Sequence, residues 1–348
     1  MQWKEIEVNK FSLNRIFVGF LLLLVCSCSV RGQAGVSHIE SVGFTVSDMD
    51  RAIDFYTRVL PFKKNSDVEV WGADVETLSG VFGARVRVVR LQLGDETLEL
   101  TEYLTPQGRP IPVNSRNNDR WFQHLAIVVG DLDQAYQMLR RHKVRYASTA
   151  PQTLPAYLKQ AAGIEAFYFK DFDHHILELI EFPPGKGAQK WRELAKDKNK
   201  IFLGIDHTAI VVADTKRSLE FYRDTLQMKI SGESENYGTE QEHLNNVRGA
   251  RLRITSLQTP QAGIGVELLQ YLAPTDGKPF PVDTHANDLW HWQTSFVSVR
   301  LNDSVAVLER QKIDFISSGI VSIATKSLAF KKGLLVRDPD GHAVRMIE

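Results

Sequence analysis

The chain of 348 residues carries 42 Lys and Arg against 42 Asp and Glu, so its formal net charge is zero. With 43% hydrophobic and 24% charged residues it has the make-up of an ordinary globular protein, which excludes a disordered chain. The missing positive field excludes a dedicated nucleic-acid binder, and a total of 2 cysteines excludes a disulfide scaffold or a Cys-rich zinc site.

The first elements form an address. Residues 17–25 are an apolar run preceded by Lys4, Lys10 and Arg15. The run is shorter than the roughly 20 residues that a membrane-spanning helix needs, and it fits the apolar region of a secretory signal over 1–33. Cys26 and Cys28 sit just behind it, as in a bacterial lipoprotein signal, and either is a candidate for acylation. The expectation is an exported protein, periplasmic or held to the membrane only by an N-terminal lipid. Cysteine catalysis is not expected, because no other thiol exists.

Next comes a unit that recurs. Residues 42–48 alternate as a strand and end in Asp48, a helix N-cap, followed by a helix with Phe55 and Tyr56 side by side and Leu60 one turn on. Strands follow over 85–91 and 96–100, joined by a turn at Gly94-Asp95. A connector, residues 103–112, leads to a second copy: strand 124–129, Asp131 as cap, a helix through Ala135, Met138 and Leu139, then strands 167–170 and 176–179. Residues 184–201 read as a linker, with a short surface helix over 189–198. The third copy runs from strand 208–213 into Asp214 and a helix with Phe221, Tyr222 and Leu226, then strands 251–254 and 266–269. A connector over 271–281 resembles the first. The fourth copy has strand 294–299, Asp303 as cap, a helix through Val305 and Leu308, and strands 334–337 and 343–346 around the turn Asp338-Pro339-Asp340-Gly341.

The fold expected is therefore α+β: four βαβββ modules, in two tandem domains. These are 36–183 (modules 36–105 and 120–183) and 202–348 (modules 202–273 and 289–348).

The Asp cap followed by Phe-Tyr, repeated, together with the Asp-Pro-Asp-Gly turn, resembles the vicinal oxygen chelate superfamily. That family includes glyoxalase I, bleomycin-resistance proteins and extradiol dioxygenases. The resemblance covers nearly all of residues 37–348. It implies paired modules that form cupped mixed sheets, with a His early in the first strand and a Glu in the last strand of a module holding a divalent metal.

Strand alternation supports the same positions. His124, Ala126 and Val128 share one face, and the opposite face, Leu125, Ile127 and Val129, suits packing on the helix. His207 with Ala209, Glu178 and Glu267 repeat this arrangement. The implied metal ligands are His124, Glu178, His207 and Glu267, with Glu178 or Glu267 as the catalytic base. Two His with carboxylates suit Zn, Ni, Co, Mn or Fe.

The pattern then breaks. The first module has Ser41 in place of the His and keeps Glu99; the fourth has Thr294 and Arg345. If modules pair in sequence, neither domain holds two His. If inner pairs with inner and outer with outer, the inner cup holds all four ligands, while the outer cup holds Ser41, Glu99, Thr294 and Arg345. Both arrangements occur in the superfamily, and both stay open here. His174, His175 and His342 fall in turns and are expected in solvent. His291 stands near a strand start. Trp121, Phe122, Trp290 and Trp292 are expected to pack. Arg109 and Lys278 read as surface turn residues.

The leading functional expectation is a divalent-metal, glyoxalase-like enzyme of lyase, isomerase or dioxygenase type. Its substrate is a small molecule chelated through two oxygens. The alternative is a metal-free protein of the bleomycin-resistance kind that sequesters a small molecule in the cell envelope. A third is an envelope protein that keeps the fold alone.

Overall fold

The computed structural model describes Met1, residues 35–324 and residues 327–348. The expected export signal, with Cys26 and Cys28, falls on 2–34 and so lies outside the described residues, Met1 aside.

Each module opens with a strand that delivers the chain into a capped helix. The first has β1 (Val36–Val46), α1 (Met49–Asp54), β2 (Lys63–Trp71), α2 (Ala73–Ser79), β3 (Arg85–Leu93) and β4 (Glu96–Thr105). The second has β5 (Gln123–Val129), α3 (Leu132–Arg141), the short β6 (Arg145–Tyr146) and β7 (Gln152–Thr153), β8 (Glu165–Lys170) and β9 (Ile176–Glu181). After α4 (Gln189–Leu194), the third has β10 (Phe202–Val211), α5 (Thr215–Leu219), β11 (Lys229–Tyr237), α6 (Thr239–Asn245), β12 (Arg251–Gln258) and β13 (Gly265–Ala273). The fourth has β14 (Trp292–Ser298), α7 (Leu301–Arg310), β15 (Val321–Ser322), β16 (Lys332–Arg337) and β17 (Ala343–Ile347). Helices α2 and α6 were not expected.

Three of the four expected caps form. Asp48, Asp131 and Asp214 accept from the amides of Arg51, Gln134 and Lys216. The fourth does not: α7 starts at Leu301 with Arg300 at the cap, and Asp303 sits inside the first turn, its carboxylate 2.9 Å from Arg300 Nε. Behind α1 and α5 the helix widens, so that Leu60 N–H donates to Phe55 O and Leu226 N–H to Phe221 O. These wide turns carry the Phe-Tyr pairs.

The strand order decides the pairing. One sheet runs β15-β16-β17-β14-β1-β4-β3-β2 and the other β11-β12-β13-β10-β5-β9-β8-β6, with β7 on β8. Outer module thus pairs with outer through β1 and β14, and inner with inner through β5 and β10. Each sheet draws on both halves, 36–183 and 202–348.

One continuous apolar core gathers the helix-facing sides of β1, β5, β10 and β14 with Met49 and Ala52, Leu132 and Leu139, Phe221 and Tyr222, and Leu301 and Leu308. Two buried networks tie modules together inside it. Tyr56 Oη donates to Asp171 Oδ2 at 3.1 Å, and the same carboxylate meets His175 Nδ1 at 2.9 Å. His175 Nε2 lies 2.7 Å from Leu289 O, so three modules meet there. Tyr222, Asp338 and His342 repeat the device. His175 and His342 are therefore buried and not in solvent as expected. Burial alone would lower the His175 pKa, but the Asp171 carboxylate outweighs it and raises it. His174, by contrast, is exposed, beside Arg145.

The linker helix is shorter than expected and is not merely on the surface. Trp191 of α4 is buried against Gly204 of β10, where a Cβ would come within 2.8 Å of the indole. Arg109 and Lys278 cross-link the connectors to the turns before β14 and β5: Arg109 binds Asp288 and Asp283, and Lys278 N–H donates to Asp119.

Candidate metal centre

The inner sheet places its polar groups by register. In the antiparallel β5–β10 pair, His124 faces Ala209 and His207 faces Ala126. The two imidazoles thus sit on one face of adjacent strands, two positions apart. In the parallel pairs on either side, Ala126 faces Glu178 and Ala209 faces Glu267. Four strands in the order β13-β10-β5-β9 present Glu267, His207, His124 and Glu178 to one concavity, and the small alanines leave room between them.

The side chains converge. His124 Nε2 lies 3.5 Å from His207 Nε2 and 3.1 Å from Glu178 Oε2. His207 Nε2 lies 3.5 Å from Glu178 Oε2 and 3.4 Å from Glu267 Oε2. Ligands at about 2.1 Å from one ion stand roughly 3.0–3.4 Å from each other, so these spacings suit a shared cation. Among the described residues His124, Glu178 and His207 form a triad that could hold a metal ion. They are 1%, 4% and 4% exposed, whereas Glu267 is half-buried. Burial would raise the Glu178 carboxyl, but His124 and His207 overcome it and hold its pKa at about 2. Burial likewise opposes the charge on His207, yet Glu267, Asp206 and Glu178 raise its pKa well above normal.

A second layer of residues, not singled out in the sequence, orients the first. The register slips between Ile205 and His207, so Asp206 is an extra residue in β10. Its Oδ2 lies 3.0 Å from His207 Nδ1, and Trp191 Nε1–H donates to its other oxygen. Such a carboxylate fixes the tautomer that leaves Nε2 free for a metal. Ser256 Oγ donates to Glu267 Oε1 at 2.6 Å. Tyr168 and Phe122 pack on the His124 ring, whose Nδ1 has no partner. The Asp206-His207 dipeptide in a strand is the one sequence signal from which Asp206 could have been found. The cup opens into a cavity of about 850 Å³ with an apolar wall of Leu154, Ile164, Ile180 and Leu244, and with Gln160 and Asn236 among its polar groups.

A model of the Glyoxalase/Bleomycin resistance protein/Dioxygenase superfamily matches residues 35–179 and 204–346. The chain belongs to this superfamily. A 2-epi-5-epi-valiolone epimerase from an Actinomyces species is similar to it, 32% identical over 175 residues that span 47% of this chain and 90% of the relative. Two solved structures share the superfamily fold across most of the molecule. Glyoxalase I from Zea mays matches with TM-score 0.55 at 15% identity, covering 90% of this chain and 92% of its own. A putative dioxygenase from Bacillus subtilis matches with TM-score 0.52 at 12% identity, covering 90% and 85%.

The outer cup keeps the superfamily fold and loses the donors. Gly43 faces Glu99 and Ser295 faces Arg345, so the two first-strand positions are Ser41 and Gln293. This corrects the expected Thr294, which faces Val344 on the helix side; the polar run Gln-Thr-Ser hid the phase of the strand. Arg345 Nη2 lies 2.7 Å from Glu99 Oε1, and Arg90 Nη1 lies 3.3 Å from Oε2. Ser295 Oγ accepts from Arg345 Nε. The cavity here is about 60 Å³, narrowed by Leu78, Ile323 and Phe330. His291, near a strand start in the sequence, lines this cup and not the inner one. Trp121, Phe122, Trp290 and Trp292 are all buried, as packing residues are.

Proposed function

We propose that the protein is a divalent-metal epimerase acting on a small, polyoxygenated carbonyl compound held in the inner cup. The observation that carries this reading is the convergence of His124, Glu178 and His207, with Glu267 beside His207, on one face of four adjacent strands. The similarity to an epimerase favours isomerase chemistry over the lyase and dioxygenase alternatives.

His124, His207, Glu178 and Glu267 would hold the ion. The bound ion would supply Lewis-acid polarisation of a carbonyl. The rest falls to the two carboxylates. They flank the imidazoles on β9 and β13, on opposite sides of the site. One takes the proton from the carbon next to the carbonyl, and the C–H electron pair moves onto the carbonyl oxygen. The other, which has first taken a proton from solvent, delivers it to the opposite face of that carbon, and both carboxylates exchange protons with solvent before the next turnover. One C–H bond breaks and one forms, and nothing is oxidised. Which Glu takes the proton depends on the configuration of the arriving carbon. General acid–base groups of this kind contribute about 10²–10⁴-fold.

The test has two parts. The folded protein should carry one equivalent of a divalent ion after dialysis, lost both in His124→Ala and in His207→Ala. Incubated with 2-epi-5-epi-valiolone in D2O, it should give the epimer with one deuterium at the inverted carbon, and Glu178→Gln or Glu267→Gln should slow this at least about 100-fold. A protein that binds no ion yet still binds a small molecule in this cup would reverse the reading in favour of metal-free sequestration. The unpartnered Nδ1 of His124 favours that second reading, because a ligating imidazole usually donates its other N–H.

A further inference from the structure

We propose that the outer cup is a second binding site, for a small uncharged molecule that carries one hydroxyl or carbonyl group on an apolar body. The site is independent of the reaction assigned to the inner cup.

The charges in this cup cancel. Glu99 is met by Arg345 and Arg90, and Arg90 is met in turn by Glu40. Arg345 is further held by Ser295 Oγ and lies over the Phe330 ring, 4.9 Å from its centroid. Among the described residues that line the cavity, Glu99 and Arg345 are the charged ones, and they pair with each other. The walls are apolar: Val70, Val75, Val86, Val88 and Leu335 line the cavity with Phe330.

Besides the ion-paired Arg345 Nη2, two buried polar atoms on this face have no hydrogen-bond partner among the described residues. His291 is 4% exposed, lines the cavity, and its Nε2 has no hydrogen-bond partner. Ser41 Oγ, on the face of β1 that carries Gly43 beside Glu99, has none either. A buried imidazole nitrogen without a partner is costly, and such groups are normally paired with protein, water or ligand. Burial, reinforced by Arg337, pushes the His291 pKa down to about 3, so at neutral pH the ring is uncharged. It can then meet a hydroxyl or carbonyl without bringing in a charge.

Size completes the selection. At about 10–15 Å³ per water-sized group, a cavity of about 60 Å³ takes roughly four to six such groups. That excludes the multi-ring and sugar-sized molecules that the inner cup admits. A charged carboxylate or amine would disrupt a balanced ion pair at a high desolvation cost.

The probe is cyclopentanone, read by NMR on the full folded protein with labelled Val and Leu methyls and ¹⁵N-labelled His. Saturable shifts are expected at Val86, Val88 and Leu335 and at His291 Nε2. Binding should weaken at least tenfold in Val86→Phe, which fills the space. If that variant fails to fold, His291→Leu removes the polar contact and should weaken cyclopentanone while sparing cyclopentane. His207→Ala, in the other sheet, should leave the shifts as they are. Acetate should not compete. Shifts confined to inner-cup methyls, or no saturable shift at the outer-cup methyls and His291, would each overturn the proposal.

Discussion

The two cups are built on the same strand positions and differ in what fills them. In the inner cup the first-strand positions hold His124 and His207, and the last-strand positions hold Glu178 and Glu267. In the outer cup they hold Ser41 and Gln293, with Glu99 and Arg345. One charge-reversing residue, Arg345, replaces whatever a cation would do for Glu99 with a fixed guanidinium. The positive charge is then part of the chain, and the carboxylate is satisfied without an exchangeable partner. The volumes follow, about 850 Å³ against about 60 Å³. The contrast shows that the fold supplies only converging positions; the residues placed there decide between a wide cup lined with metal donors and a narrow one whose charges pair with each other.

The comparison is sharpest at Arg345. Its side chain and that of Glu99 are 7% and 3% exposed, so the pair is desolvated. Arg345→Ala leaves Glu99 to Arg90 alone at 3.3 Å and should cost about 3–5 kcal/mol in urea denaturation. Glu99→Leu together with Arg345→Met should recover most of that loss, since no buried charge is then unpaired. If the single change is nearly neutral, the outer cup is not held by this pair, and the contrast with the inner cup fails.

A second comparison lies one position earlier in each bulged strand. Asp206 and Glu40 are both extra residues at a register shift, in β10 and β1. Asp206 turns to His207, while Glu40 turns to Arg90. If His207 ligates a metal, Asp206→Ala should weaken metal binding about 10–100-fold in competition with a chelator. Trp191→Phe, which removes the indole N–H that holds Asp206 together with part of the ring packed on Gly204, should act in the same direction and less strongly. Glu40→Ala should leave metal binding unchanged. An equal affinity in wild type and Asp206→Ala would show that the bulge has no part in orienting the imidazole.

Much of this was legible because the pattern is repeated. Alternation set the faces of His124 and His207, and the Asp-then-aromatic signature located the helices. Pairing was not legible: β1 meets β14 across most of the chain length, and either arrangement buries the same apolar faces. The turns around Asp171 and Asp338 looked like surface, yet their carboxylates gather backbone amides and a histidine inside the core. Trp191 looked like part of a polar linker because its partner, Asp206, is exposed to it only by a strand bulge.

The smallest expected effect separates an inner helix from an outer one. Asp131 caps α3, accepting from Gln134 N–H at 2.8 Å. Asp303 lies within the first turn of α7, where Arg300 is its partner and the amides it might cap are already behind it. Asp131→Ala should therefore cost about 1 kcal/mol, the worth of a lost cap. Asp303→Ala removes only a favourable charge near a helix N-terminus and an exposed ion pair, and should cost about 0.3–0.5 kcal/mol. Salt divides the two further. The Asp303 effect should shrink at 1 M NaCl, since it is electrostatic and exposed, while the Asp131 effect should largely persist, since it is a hydrogen bond to an otherwise unpaired amide. Denaturation curves of both variants at low and high salt decide it, and equal losses at both salts would mean that α7 is capped like its inner counterpart.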